Sequence, residues 1–357
     1  MEPLASSLIP NPSPAAPRLV SVSAPVTQPH LSVVIVNYHQ WPNTRDLVQK
    51  LRASSQREGS VEIIIVDNHS PTHPILPSLR RLPGVSLRRW RRNRGFARAV
   101  NEGVRLSQGE WVLLLNPDVT VTHAFLEQVV ALSQRLATEE PTAGVVGFQL
   151  CNPDGSRQLS AGWFPTLAGT LTRMLLPRSR RKYTAPPLDR RSRVDWVTGC
   201  CLLARRVCWE QMGGLDGNFF LYYEDVDFCR RAQAAGWSVW YEPALSVVHH
   251  HPLHARAVPA HLRLVTRHAL LTYARKHWPI WQTHALAGVI AAEAWLQRCR
   301  AQWRGDANAA WIFGELQAIA GDFASGRPAA AEPRLLHVVR RQEKRRASTP
   351  VDHHSQS

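Results

Sequence analysis

The runs Asp195–Ala204 and Gly213–Asp227 together gather five carboxylates, Asp195, Asp216, Glu224, Asp225 and Asp227, among aromatic and apolar residues. The two runs are Asp195-Trp-Val-Thr-Gly-Cys-Cys-Leu-Leu-Ala204 and Gly213-Gly-Leu-Asp-Gly-Asn-Phe-Phe-Leu-Tyr-Tyr-Glu-Asp-Val-Asp227. Charge in such surroundings is costly unless it binds something. Glu224-Asp225-Val-Asp227 reads as a first helical turn, where the dipole favours ionised carboxylates. One carboxylate within hydrogen-bond reach of a hydroxyl can remove its proton as the oxygen attacks an electrophile. Asp225 and Glu224 are rivals for that work, and Asp227 is placed to cap the helix or pair with Arg230 or Arg231.

Three upstream segments carry complementary chemistry. Val61-Glu-Ile-Ile-Ile-Val-Asp-Asn68 ends a strand on Asp67 and Asn68, at an edge where ligands bind in open α/β sheets. In Asn93-Arg-Gly-Phe-Ala-Arg-Ala-Val-Asn-Glu-Gly103, Gly95 allows close backbone approach at a helix start, which favours phosphate. Trp111-Val-Leu-Leu-Leu-Asn-Pro-Asp118 sets Asn116 and Asp118 after a strand, with Pro117 fixing the turn. Hard divalent cations take oxygen ligands and share one or two carboxylates with substrate phosphates, so one aspartate suffices when a diphosphate supplies the rest. His249-His-His251 follows the strand Leu245–Val248, and three adjacent histidines cannot share one face of a strand, so at most two of them point into one site.

Together, in this order, the motifs resemble the family 2 glycosyltransferases, in particular their bacterial rhamnosyltransferase-like branch, over Leu31 to His251. The resemblance implies a GT-A-like fold and an inverting, metal-dependent transfer of a sugar from a nucleoside diphosphate to an acceptor hydroxyl. It implies that Asp225 is the base, with Glu224 second. A divalent cation, Mg²⁺ or Mn²⁺, would be held by Asp118 and His249. The substrate-binding set would be Asn37, Asp67, Asn68, Arg94, Gly95, Asn101, Asn116, Asp195 and Trp196, with Asp67 on the nucleobase or ribose. The donor implied is dTDP-rhamnose, with UDP- and GDP-sugars as alternatives, and the acceptor a glycan or lipid-linked oligosaccharide of the cell envelope. Pro252-Leu-His-Ala-Arg256 departs from the family's glycine- and serine-rich continuation at this loop.

Positioning these residues requires alternating strands and helices. Leu31–Val36, Val61–Val66, Val85–Leu87 and Trp111–Leu115 read as strands buried on both faces, and Gly144–Leu150 as another. Thr44–Leu51, Gly95–Leu106 and Ala124–Leu136 suit the intervening helices, which predicts an open, mainly parallel α/β sheet over residues 30–255. Residues 1–29, rich in Pro, Ser and Ala, are expected to be a disordered extension. Leu262–Lys276, Trp281–Arg298 and Ala309–Ala320 are expected to be helices of a C-terminal region over 256–325, and 326–357 a basic, disordered tail.

The 357 residues, 44% of them apolar, suffice for a sizeable core. A net charge of +16 calls for an anionic partner. Sugar diphosphate, anionic lipid and nucleic acid all qualify. Runs such as Arg88-Arg-Trp-Arg-Arg-Asn-Arg94 prompt a nucleic-acid-binding alternative, but no helix-turn-helix, zinc-finger or RNA-binding pattern accompanies them. Nucleotidyl transfer on a similar fold lacks its basic, glycine-rich loop after the first strand. Six cysteines without CxxC spacing suit a reducing compartment, and neither a signal peptide nor a spanning segment is legible, so a cytoplasmic location is expected. Trp163–Leu176, followed by Arg178-Ser-Arg-Arg-Lys182, has the pattern of an amphipathic helix with a basic cluster, suited to peripheral contact with an anionic membrane or to packing on the core.

Overall fold

A computed structural model describes residues 28–54, 60–175, 189–250 and 258–348. The first half runs β1 (Leu31–Asn37), α1 (Trp41–Ser54), β2 (Val61–Asp67), α2 (Leu76–Arg80), β3 (Val85–Arg89), α3 (Phe96–Arg105), β4 (Trp111–Leu115), β5 (Val119–Thr120), α4 (Phe125–Glu139) and β6 (Ala143–Cys151). There follow β7 (Arg157–Gln158), β8 (Ala161–Gly162), α5 (Leu167–Leu175), β9 (Ser192–Arg193), β10 (Trp196–Val197), β11 (Cys201–Arg205), α6 (Arg206–Gln211), α7 (Glu224–Ala234) and β12 (Ser238–His249). Four long helices end the described chain: α8 (Ala260–His277), α9 (Ile280–Trp303), α10 (Ala307–Ala324) and α11 (Ala331–Ser348).

The main sheet has the order β3-β2-β1-β4-β11-β6-β12-β5. Its first four strands are parallel, as are β6 and β12, while β11 runs antiparallel to β4 and β6, and β5 to β12. Every residue of β1 and β4 is buried. Successive side chains alternate between faces. Val33 and Ile35 meet Leu47, Leu51 and Phe125 on one side, while Val34 and Val36 meet Val100, Val104 and Phe228 on the other. A continuous apolar run is what such a two-faced strand requires. β3 departs from the expectation of burial on both faces: it is the edge strand, with Ser86 and Arg88 exposed to solvent.

Helices α8 to α11 share a third core. The expectation of disorder over 326–357 is corrected by α11, which buries Ala331, Leu335 and Val338 at helical spacing despite its high charge. That core also receives Phe220 to Tyr223, the turn leading into α7, so the helical region packs directly on the sheet-bearing part of the chain. Asp227 adds a polar joint, accepting from Arg231 Nε at 2.8 Å, His277 Nε2 at 2.7 Å and Lys276 Nζ at 2.8 Å. Burial alone would raise its pKa, but His277, Lys276 and Arg231 outweigh that and hold the carboxyl below its ordinary range.

Among the described residues no helix is long and apolar enough to cross a membrane. Residues 1–27, the Arg178–Lys182 cluster, His251 and His254 lie outside the described residues. Of the amphipathic segment, α5 forms only from Leu167.

Candidate active site

The strands deliver their polar termini to one edge. β5 pairs with the end of β12, placing His249 opposite Val119 and bringing His249 Nε2 to 3.6 Å from Asp118 Oδ2. Gln158, on the short strand β7, fixes the imidazole. Its Nε2 donates to the carbonyls of His249 (2.7 Å) and Cys151 (3.2 Å) and to Asn152 Oδ1 (2.7 Å). Its Oε1 is therefore the atom 3.0 Å from His249 Nδ1, which must carry the proton. In the neutral ring His249 Nε2 presents a lone pair toward Asp118, the arrangement of a metal-ligating histidine whose other nitrogen is held by an acceptor. Among the described residues no third His, Cys, Asp or Glu completes a ligand group, so these two donors would share an ion with substrate oxygens. His250 turns the other way, to Thr120 Oγ1 at 2.8 Å.

The second cluster lies across β11. Asp225, partly exposed at the start of α7, accepts from Gly199 N through Oδ2 and from Val226 N through Oδ1, both at 2.8 Å. Burial raises its pKa, while these amides and the Thr198 side chain oppose the rise. A carboxylate held in this way is a stronger proton acceptor than a free aspartate. Glu224 differs: it is 4% exposed, its Oε2 is buried without a partner, and burial followed by the charge of Asp225 pushes its pKa well up. Turned inward, where burial disfavours its charged form, Glu224 is the poorer candidate, which favours Asp225 as base.

Gly199 and Cys200 link the two clusters. Gly199 holds Asp225, and the Cys200 carbonyl accepts from Asn116 N at 2.9 Å. The Cys200 thiol, raised far above its usual range by burial, also feels the charges of Asp118 and Asp225. Asn116 thus joins the site through its backbone. Tyr222 and Tyr223, immediately before the acids, both have positive φ, +74° and +67°, an unfavourable conformation for bulky residues that clusters at functional sites.

The residues expected at the donor end are placed differently. Asp67 is fully buried, with Oδ1 accepting from Asn37 Nδ2 (2.9 Å) and Ser70 N (3.2 Å) and Oδ2 paired with Arg89 Nε (2.9 Å). It offers no open face to a nucleotide and instead positions Arg89. Asn37, also fully buried, is completed by Thr44 and Ser70, so it supports Asp67 from behind. Asn68 accepts from Arg94 N at 2.9 Å and donates to Asn93 Oδ1 at 2.9 Å.

At the start of α3, where phosphate is expected, the first amides bond within the protein. Gly95 N is bound to Asn93 Oδ1 at 3.0 Å and Phe96 N to the Phe220 carbonyl at 2.6 Å, so Arg94, Gly95 and Phe96 all spend their amides inside the protein. The close approach that Gly95 permits is to Phe220, whose carbonyl oxygen would lie 2.6 Å from an added Cβ. Arg94 is exposed over the Trp90 ring. Asn101 clamps Leu215 through two bonds, of 2.7 and 2.9 Å, and so anchors the loop before α7. Asp195 and Trp196 likewise hold the 163–164 segment, through Phe164 N at 2.7 Å and the Trp163 carbonyl at 2.9 Å.

Sequence reasoning missed Gln158, Cys200 and the contribution of α11, where Glu343 accepts from Tyr38 Oη at 3.0 Å and Asn93 Nδ2 at 2.9 Å. Burial, then Glu343, raises the Tyr38 pKa. The partners lie some 90 to 305 residues apart, beyond any local pattern.

Comparison with known proteins bears on family and fold. The chain is 29% identical over 298 residues to the N-acetylglucosaminyl-diphospho-decaprenol L-rhamnosyltransferase of Mycobacterium tuberculosis, covering 76% of this chain and 95% of that one. It is 24% identical over 151 residues to rhamnosyltransferase WbbL of Escherichia coli, covering 42% and 56%. A crystal structure of GalNAc-T7 with UDP, GalNAc and Mn²⁺ superposes with a TM-score of 0.51 at 16% identity over 70% of this chain and 48% of that one, a likeness of fold: GT-A. The model of glycosyl transferase family 2 matches residues 32–211. Half the chain lies within that match and the strands bearing the candidate groups fall in it or directly after it, so the chain belongs to glycosyl transferase family 2 and is a glycosyltransferase.

Proposed function

We propose that this glycosyltransferase is inverting and cation-assisted, and moves rhamnose from dTDP-rhamnose to a hydroxyl of a lipid-linked glycan in cell-envelope synthesis, at the cytoplasmic face of the membrane. The observation that carries the reading is the joining of Asp225 and the Asp118–His249 pair through Gly199 and Cys200. Rhamnose and the lipid carrier are supported by the mycobacterial relative, whose name specifies both.

Asp118 Oδ2 and the lone pair of His249 Nε2 fit a divalent cation, which when bound supplies neutralisation of the diphosphate as it leaves. Asp225 accepts the proton of the acceptor hydroxyl while the oxygen attacks the anomeric carbon. The amides of Gly199 and Val226 hold the base in one orientation, and its raised pKa strengthens its pull on the proton. One base and one displacement give inversion. A stabilised diphosphate needs no protein acid, unlike the carboxyl pair of glycosidases. Asp67 acts indirectly, by fixing Arg89 at the nucleotide edge.

The test is nucleoside diphosphate release from a panel of dTDP-, UDP- and GDP-sugars with Mg²⁺ or Mn²⁺ and a polyprenyl diphosphate-linked GlcNAc acceptor. Acceptor-dependent turnover with dTDP-rhamnose and a β-to-α or α-to-β change at the anomeric carbon is expected. Preference for another donor overturns the rhamnose assignment, and retention of configuration overturns the single displacement.

A further inference from the structure

Helix α9 is apolar on two sides. Thr283, Leu286, Ala287, Ile290 and Ala294 face the helical core. On the other side Trp281 is 63%, Trp295 54% and Trp303 87% exposed, with Val289 and Leu296 also open. At about 100° per residue the three tryptophans lie within roughly 80° of one another, a stripe about 33 Å long. The exposed Cys299 falls on its midline. No charged residue falls inside the stripe. Arg298 and Arg300, both exposed, fall about 100° to either side of it. Glu293, the acid of this helix, is turned away and neutralised by Arg267 at 2.8 Å.

A monomer rarely leaves so many large apolar side chains on one face without an occupant. Indole rings favour the boundary between lipid headgroups and acyl chains. Arginines flanking such a face can lay their stems along it and raise their guanidinium groups to the phosphates. We infer that the Trp281–Trp295–Trp303 face of α9 is a membrane-docking surface that lies in the headgroup region of an anionic bilayer, with Arg298 and Arg300 on lipid phosphates. The net charge of +16 favours that occupant over a second copy of the chain, because two such faces would bring like charges together. The lipid contact stands independently of the donor and acceptor proposed above, since its readout is partition rather than turnover.

The full chain is floated with vesicles of phosphatidylglycerol and phosphatidylcholine, and with phosphatidylcholine alone, at low and high salt. Separately, an environment-sensitive fluorophore on Cys299 reports burial in lipid without any substitution. The parent is expected to float with the anionic vesicles and its label to shift to shorter wavelength. Trp281→Ser/Trp295→Ser/Trp303→Ser should reduce flotation at least tenfold, with an unchanged circular dichroism melt. Arg298→Glu/Arg300→Glu should remove the preference for anionic lipid. The inference is overturned if the triple variant floats like the parent, or if binding is lost only when Arg178, Arg180 and Arg181 become Glu. It is equally overturned if the Cys299 label is unmoved by vesicles, or if the parent ignores both vesicle types and forms a dimer that the triple variant abolishes.

Discussion

The two ends of the carboxyl edge are built on opposite principles. Around Asn37, Asp67 and Asn68 the polar side chains are buried and bonded to one another or to nearby backbone, an arrangement in which satisfied networks rigidify the structure. Around α7 the protein tolerates cost: a buried carboxyl oxygen on Glu224 without a partner, a raised pKa at Asp225, and two tyrosines in left-handed conformation. Such outlays persist where the surrounding fold over-determines them. The contrast separates residues that hold the edge together from residues held ready for reaction, although both sets are acids and amides at strand ends.

The contrast breaks most plainly at Asp225. Asp225→Asn is expected to lower turnover roughly a hundred- to ten-thousand-fold. Because its folded-state pKa is raised, removing the charge relieves the folded chain, while the Asn amide leaves Gly199 N or Val226 N without its acceptor; the two effects oppose, so the melting temperature should change little. The parent's turnover should fall as pH drops through that raised pKa, at a higher pH than an ordinary aspartate, and the limb should vanish in the variant. Steady-state rates across pH with a parallel thermal melt check both statements.

Asp67→Asn should do the reverse. Arg89 loses a buried counter-charge, and breaking such a pair typically costs about 3 kcal/mol, read in urea unfolding. A variant as stable as the parent would refute the view of this end as a scaffold. Asp118→Ala should sharpen the comparison from the reactive side. The Mg²⁺ or Mn²⁺ concentration for half-maximal activity should rise about 10- to 100-fold, measured by metal titration, with little change in stability. The smallest effect is expected at Glu343→Gln, which keeps an acceptor for Tyr38 and Asn93 but removes charge. Stability should fall by about 0.5 kcal/mol, and the spectroscopic pKa of Tyr38 should drop toward its ordinary value.

What the sequence disclosed follows from how far each interaction reaches along the chain. Leu31–Val36 and Trp111–Leu115 were legible as strands because burial on two faces demands an unbroken apolar run. Asp118 and Asp225 were legible as candidates because their neighbours in sequence, Pro117 and the Tyr222-Tyr223 pair, constrain the same turns. Gly95 announced a close approach without saying to what, and the structure shows Phe220 making that approach. Asn101 was assigned to the donor because nothing local reveals Leu215, 114 residues away. Helix α11 escaped because its charges mask the Ala331, Leu335 and Val338 stripe, although that spacing was there to be read.

The Gly95–Phe220 contact bears on motion. The start of α3 and the turn before α7 touch backbone to backbone, with Phe96 N on the Phe220 carbonyl and no room for a single added carbon between them. Two segments in such contact cannot slide independently, so a displacement that opens one side of the cleft must carry the other with it. The amides of Phe96 and of the 219–223 turn should then exchange with solvent in a single opening event, at one common rate, whereas the exposed β3 edge is free to exchange on its own schedule.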